Sequence, residues 1–164
     1  VYEVGAGKDL EPGLYFVEGD PADEADYVVF GPTSDARYEV DYGVTYFGNY
    51  FVELEEGAVF AWDAPDGLRL SPAADASFEP TAPYRSGLYR VGEDIPAGTY
   101  TVTIEPEAAA EADNECGAFV MRDLAFGSGS ITDEKYVVRG GSQTVTVKDG
   151  DWLELYAATA APAQ

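Results

Sequence analysis

The sequence predicts an all-β protein: two tandem repeats, each a small antiparallel β-sandwich, jelly-roll-like or barrel-like, of five or six short strands, packed on each other. Three observations lead there. The 164 residues include 12 Tyr, 8 Phe, 18 Gly and 10 Pro but a single Met, a composition that favours strands and tight turns. Apolar and polar residues alternate over short segments, the period of a half-buried strand. The chain also repeats itself, which is the first feature to seek in any sequence.

The segment Tyr2-Glu3-Val4-Gly5, followed by Asp9-Leu10-Glu11-Pro12-Gly13-Leu14-Tyr15, returns as Tyr89-Arg90-Val91-Gly92, followed by Asp94-Ile95-Pro96-Ala97-Gly98-Thr99-Tyr100. Further on, Phe51-Val52-Glu53-Leu54-Glu55-Glu56-Gly57 matches Thr144-Val145-Thr146-Val147-Lys148-Asp149-Gly150. The glycines lie further apart than the tyrosines, so the second copy carries an insertion in its middle. Residues 1–72 form the first repeat and 86–164 the second. Between them, 73–85 contains Pro80 and Pro83 without sustained periodicity and reads as a semi-rigid linker.

In the first repeat the expected strands are 1–4, 14–18, 26–30, 37–47, 49–54 and 58–62. The turn before the second suits type II at Glu11-Pro12-Gly13-Leu14, whereas Ile95-Pro96-Ala97-Gly98 suits type I. Asp9 and Asp94 precede these turns as Asx-type caps. In the second repeat the strands are 88–91, 99–104, 117–124, 135–139, 143–148 and 151–157. Tyr100, Val102 and Ile104 alternate with Thr101 and Thr103, and Asp149-Gly150 signals a hairpin before Trp152-Leu153-Glu154-Leu155. Glu107–Ala112 has helix propensity but is limited to about two turns after Pro106. From about residue 157 the tail is Ala-rich and expected to fray.

Composition excludes several functions. With no His and one Cys, the chain cannot build an imidazole-based catalytic couple, an internal disulfide or a thiolate zinc cluster. Its 31 Asp and Glu against 9 Lys and Arg give a net charge of −22, which repels phosphate backbones and argues against nucleic acid as a partner. No apolar run approaches the roughly 18 residues of a membrane span.

The run Tyr89-Arg90-Val91-Gly92-Glu93-Asp94-Ile95-Pro96-Ala97-Gly98-Thr99-Tyr100 resembles a signature of small tandem β-modules from secreted proteins and lipoproteins of Gram-positive bacteria. Thr144-Val145-Thr146-Val147-Lys148-Asp149-Gly150-Asp151-Trp152-Leu153 is similar to the closing hairpin of those modules. The first repeat departs from the pattern at Ala6-Gly7 and Glu11-Pro12. The resemblance implies a fold and an extracellular or cell-surface address, with a lipid anchor in the precursor as an option. It carries over no catalytic residue. Because Val1 falls inside the first repeat strand, a trimmed start is expected.

Candidate contacts come from two acidic loops and one aromatic stretch. Glu18–Asp26, with Asp20 and Asp23, and Glu105–Glu115, with Asp113 and Glu115, follow equivalent strands. Clustered carboxylates suit Ca²⁺, but neither loop has the spacing of a known calcium loop, and solvated loops are the simpler reading. Tyr42 and Tyr46 offer ring faces for sugars beside carboxylates. However, Tyr38, Val40, Tyr42, Val44 and Tyr46 share one parity, which in a continuous strand makes them a core face, whereas a break at Gly43 would expose the later tyrosines. Cys116, between Glu115 and Gly117, reads as a buried inert thiol. Ser128-Gly129-Ser130 reads as a flexible loop and no phosphate cradle.

The expected function is therefore a non-enzymatic extracellular or cell-surface structural or interaction module, with no required cofactor. Its partner is a protein or glycan outside the cell. A carbohydrate-binding or adhesin module using an exposed Tyr/Asp/Glu face is the first alternative and a calcium-dependent module the second. Paired carboxylates are the one general catalytic scheme the composition leaves open. A halophilic cytoplasmic origin would also account for scarce Lys and abundant acids.

Overall fold

Alternation becomes strands almost everywhere it occurs. The structure is a computed structural model that describes residues 1–32, 38–109 and 115–164, with only the backbone of Pro32 and Tyr38. The first repeat forms β1 (Tyr2–Glu3), β2 (Gly13–Val17), β3 (Glu24–Pro32), β4 (Tyr38–Phe47), β5 (Tyr50–Leu54), β6 (Val59–Asp63) and β7 (Leu70–Pro72). The second forms β8 (Gly87–Arg90), β9 (Gly98–Ile104), β10 (Gly117–Met121), β11 (Ile131–Tyr136), β12 (Gln143–Val147), β13 (Trp152–Tyr156) and β14 (Ala158–Pro162). Their sheets run β1-β6-β3-β4 and β5-β2-β7, then β8-β13-β10-β11 and β12-β9-β14. Strand for strand the order is the same, so the sequence repeat is a repeat of topology. The protein is all-β, two antiparallel sandwiches packed together, and neither closes into a barrel among the described residues.

The repeated motif has a structural reason at nearly every position. Val4 and Val91 are buried and form equivalent bridges to Leu10 and Ile95. Gly5 N–H donates to Leu10 O at 2.8 Å, and Gly92 N–H to Ile95 O at 2.7 Å. Asp9 and Asp94 do accept backbone hydrogen bonds, but from the preceding strand and not from their own turn: Glu3 N–H donates to Asp9 at 2.9 Å and Arg90 N–H to Asp94 at 2.8 Å. Tyr15 and Tyr100 each return a hydroxyl proton to the carbonyl four residues back, Glu11 O and Pro96 O, and thereby staple the turn to the strand. This is a tyrosine-corner arrangement. Gly13 and Gly98 share a φ of 152°, so the two turns close alike; at Gly13 the type II turn, which needs about +80° there, is not formed.

Four expectations are corrected. Each module has seven strands, because β7 and β14 were not foreseen. Alternation in Ala158–Pro162 is carried by Ala, Thr and Pro, which give no hydrophobic contrast. Ala158 and Ala160 are nevertheless fully buried and β14 pairs along β9, so the Ala-rich tail does not fray there. Ala157, with a positive φ of 47°, turns the chain directly from β13 into the opposite sheet. The Asp149-Gly150 turn is likewise no hairpin: β12 pairs with β9 while β13 pairs with β10 and β8, so the turn is a corner between sheets. The described part of the helix-prone segment, 105–109, is a turn closed by Ala108 N–H on Glu105 O, and residues 110–112 lie outside the described residues.

Strand β4 runs unbroken through Gly43 but bulges one step earlier. Val29 pairs with Tyr42 and Phe30 with Val40, leaving Asp41 as the extra residue. Val40 is exposed, Tyr42 and Val44 are half-buried, and Tyr46 is fully buried. The core reading thus holds at Tyr46, fades along the strand and fails at Val40.

The modules are joined by more than their linker. Asn49 O accepts from Leu88 N–H at 3.0 Å and the Asn49 side-chain amide donates to Leu88 O at 2.6 Å. Backbone approach is so close here that a Cβ on Gly48, whose φ is 72°, would lie 1.8 Å from Ser86 O. Phe78, in the linker, wedges between Phe16, Phe51 and Tyr89 at centroid distances of 5.0, 6.3 and 5.8 Å. The linker also contributes Tyr84, buried and bridged to Ala160.

Candidate functional site

In β13 the inward residues are Leu153 and Leu155, both fully buried. Strand geometry then aims Trp152, Glu154 and Tyr156 at the opposite face. Register extends that face across the sheet: Glu154 sits opposite Phe119, Trp152 opposite Met121, and Phe119 in turn opposite Glu134. In an isolated sandwich this face would meet water. Here the first module covers part of it, and Leu88, Met121 and Trp152 join the core of that module. Trp152 stacks edge-on against Phe51 at 5.3 Å.

The uncovered part is a cleft of about 380 Å³ between the modules. One wall is Gly43–Thr45 of β4; the other carries Phe119, Ile131, Tyr136 and Tyr156, with Glu115 among the lining residues. Phe119 and Tyr136 form a perpendicular pair with centroids 5.5 Å apart, and Tyr156 packs edge-on against Phe47 at 4.9 Å. Tyr136 and Ile131 remain substantially exposed along this wall.

At the inner end stand Tyr50 and Glu154. The Tyr50 hydroxyl is completely buried and closes no hydrogen bond of acceptable geometry. Leaving such a group unpaired costs about 1–3 kcal/mol. Glu154 faces it, partly open to the cleft yet deep in the molecule. Burial raises the Glu154 carboxyl to about 7, and the facing Tyr50 hydroxyl pulls it only part of the way back. Burial likewise holds the Tyr50 hydroxyl well above its ordinary range, as it does that of Tyr27 beside it at 6.0 Å. The inner end of the cleft is therefore a protonatable acid beside a buried phenol whose hydroxyl closes no well-formed hydrogen bond.

Phe126 closes one flank, packed 6.5 Å from Tyr50 and 5.0 Å from Tyr42. Its φ of 54° is a strained conformation for a bulky residue. The strain is held by the loop around it. Ser130 is buried, donates to Asp123 Oδ1 at 2.6 Å and accepts from Gly127 N–H at 3.0 Å, while Ala125 N–H also donates to Asp123 at 3.1 Å. Ser128–Ser130 is therefore an anchored loop and not the flexible one its composition predicted.

Of the residues the sequence singled out, Glu115 is the one that lines the cleft. Tyr42 touches it through Phe126 and lines a separate hollow of about 450 Å³ with Asp41, Glu53, Glu55 and Asp123. Burial, with Asp41, Glu53 and Glu55, pushes the Tyr42 hydroxyl up to about 12. Tyr46 offers no ring face to solvent: it is fully buried, donates to Glu18 O at 3.1 Å and accepts from Trp62 Nε1 at 2.8 Å. Asp20 is spent on its own turn, accepting from Ala22 N–H at 2.8 Å, and Asp23 is exposed. Asp113 lies outside the described residues. Glu105 is buried against Arg85 at 2.9 Å and Thr159 at 3.1 Å. Among the described residues no three His, Cys, Asp or Glu side chains gather as a metal site. Cys116 is fully buried.

The residues that sequence reasoning missed are Phe119, Phe126, Tyr136, Glu154 and Tyr156, whereas Tyr50 belongs to the aromatic stretch that also holds Tyr42 and Tyr46. A signal was present in β13 and β10, where aromatic residues occupy the parity opposite the Leu and Val core. No family model, no curated protein and no solved structure matches this chain, so the cleft and the topology stand on their own geometry.

Proposed function

We propose that this chain is a non-enzymatic interaction module of the extracellular or cell-surface kind, and that it holds its ligand in the cleft between its two sandwiches. The observation that carries the reading is the inner end, where the buried Tyr50 hydroxyl lacks a hydrogen-bond partner beside the raised Glu154 carboxyl, set among aromatic walls. Ligand sites have this make-up, an apolar concavity with a few convergent polar groups. The turn motif and its resemblance to secreted β-modules support the address. Absence of His and burial of the single Cys support a binding role over nucleophilic or imidazole chemistry. Among the described residues no helix is long and apolar enough to cross a membrane.

A carbohydrate ligand is the second reading, favoured by the exposed Phe119–Tyr136 pair beside Glu115. The test is NMR of the intact chain with a panel of soluble oligosaccharides, amines and peptides, together with aryl glycosides as turnover probes. Binding should shift the ring resonances of Tyr136 and Tyr156 without turnover. Hydrolysis of an aryl glycoside that is lost in Glu154→Gln would instead make Glu115 and Glu154 a catalytic pair and overturn the non-enzymatic reading.

A further inference from the structure

We infer, on the premise that this cleft binds a ligand, that the ligand is an organic cation: an ammonium carried on an apolar stem. Two carboxyl groups, Glu115 and Glu154, line the cleft, and no Lys or Arg among the described residues does. The surrounding chain carries −22, so an anion is repelled and a cation drawn in. Ring faces attract ammonium groups through their quadrupoles, with about 0.5–2 kcal/mol at stake. The apolar stem is matched by Met121, Phe126 and Ile131.

The same chain already builds this arrangement for a cation of its own. At the neighbouring module junction the Arg90 guanidinium lies 4.7 Å over the ring of Phe51 while pairing with Asp94 at 2.8 Å. The cleft offers the aromatic faces and the acids of that arrangement and leaves the place of the cation to a ligand. Behind Glu154 the unpartnered Tyr50 hydroxyl can donate to the carboxylate once it ionises, so the protein supports the charge that a cation would meet.

A proton-linked signature follows. Tyr27 and Tyr50 of the first module act on Glu154, and Tyr136, Tyr156 and Glu115 of the second line the cleft with it, with Glu134 on the same sheet face beside Tyr136 and Glu24 acting on Tyr156. The tyrosines are all displaced upward and stay neutral between pH 6 and 8. An alkylammonium also keeps its proton there. Glu154, raised to about 7, is the group left to ionise as the cation enters, and it releases its proton to solvent. A neutral ligand would cause no such release.

The test titrates the intact chain with n-hexylammonium, n-hexanol, Nα-acetyl-lysine methylamide and cellotetraose, by calorimetry at pH 6 in buffers of different ionisation heat and by NMR. Hexylammonium should bind at least tenfold more tightly than hexanol, tighten severalfold from pH 6 to pH 8 and release a proton. Glu154→Gln should bring the two affinities to within about threefold while hexanol binding persists, which also shows that the variant is folded. A lysine derivative equal to hexylammonium assigns the stem to a lysine of a partner protein; one tenfold weaker assigns it to a small amine, and both uphold the class. Hexanol or cellotetraose binding as tightly as hexylammonium, or an affinity flat with pH, overturns the cation and leaves the binding cleft standing. If none of the four shifts the cleft resonances, the binding reading itself falls.

Discussion

Glu154 illustrates how one residue links stability to binding. Its carboxyl is raised to about 7 from an ordinary 4.5, so between these values the native state holds a proton that the unfolded chain has released. Stability is therefore lost as pH rises through that window and is unaffected by this group below it. Glu154→Gln should raise the melting temperature at pH 8 and leave it nearly unchanged at pH 4, with a gain of about 2 kcal/mol at the higher pH. Thermal melts of both chains at the two values check this. Asp94 matters instead through its hydrogen bonds. Its side chain is 3% exposed and accepts from the Arg90 backbone and from Arg90 Nε and Nη2 at 2.8–2.9 Å. Asp94→Ala would leave the Arg90 backbone N–H unpaired and its partly buried guanidinium with only the longer Glu93 contact at 3.6 Å, at a cost of about 2–3 kcal/mol by urea denaturation.

Among the elements, β14 and the 123–130 loop departed furthest from expectation, for different reasons. Strand prediction depends on contrast between apolar and polar positions, and Ala-Thr-Ala-Ala-Pro has almost none. What makes β14 a strand is its partner: β9 presents a row of unpaired N–H and C=O groups that would otherwise be buried without hydrogen bonds. Ala160→Pro removes an N–H that donates to Tyr84 O at 2.8 Å and should cost at least about 2 kcal/mol. A frayed tail would show no change in the same denaturation experiment. The loop that presents Phe126 is ordered by side chains, Asp123 and Ser130, whose spacing matches no general turn signature.

For the molecule as a whole, the junction is a shared core and a shared backbone contact. Phe51, Phe78, Trp152 and Arg90 meet there, and Leu88 and Met121 of the second module complete the core of the first. The two sandwiches should consequently unfold in a single calorimetric transition. Gly48→Ala places a methyl 1.8 Å from Ser86 O, a backbone atom that cannot step aside without parting the modules. The variant should split the transition in two and abolish ligand binding in the cleft, while each sandwich keeps its β-sheet circular dichroism.

The division between what could be read and what could not follows the range of the forces involved. Turn chemistry, strand period and the repeat are local. Tyr15 and Tyr100 find their carbonyls four residues away, so the motif that carries them announces its own structure. The core parity of Tyr46, Val102, Leu153 and Leu155 was legible for the same reason. Which sheet a strand joins is not local: Asp149-Gly150 looks like a hairpin because the turn itself is competent for one, and only the competing pairings of β12 and β13 send them apart. The cleft is further still from the sequence. Tyr50, Phe126 and Glu154 come from separate elements in two modules, and each is unremarkable where it stands in the chain. Their meeting was decided by the docking of one sandwich on the outer face of the other, because only that contact takes Tyr50 and much of Glu154 out of water and sets the cleft beside them.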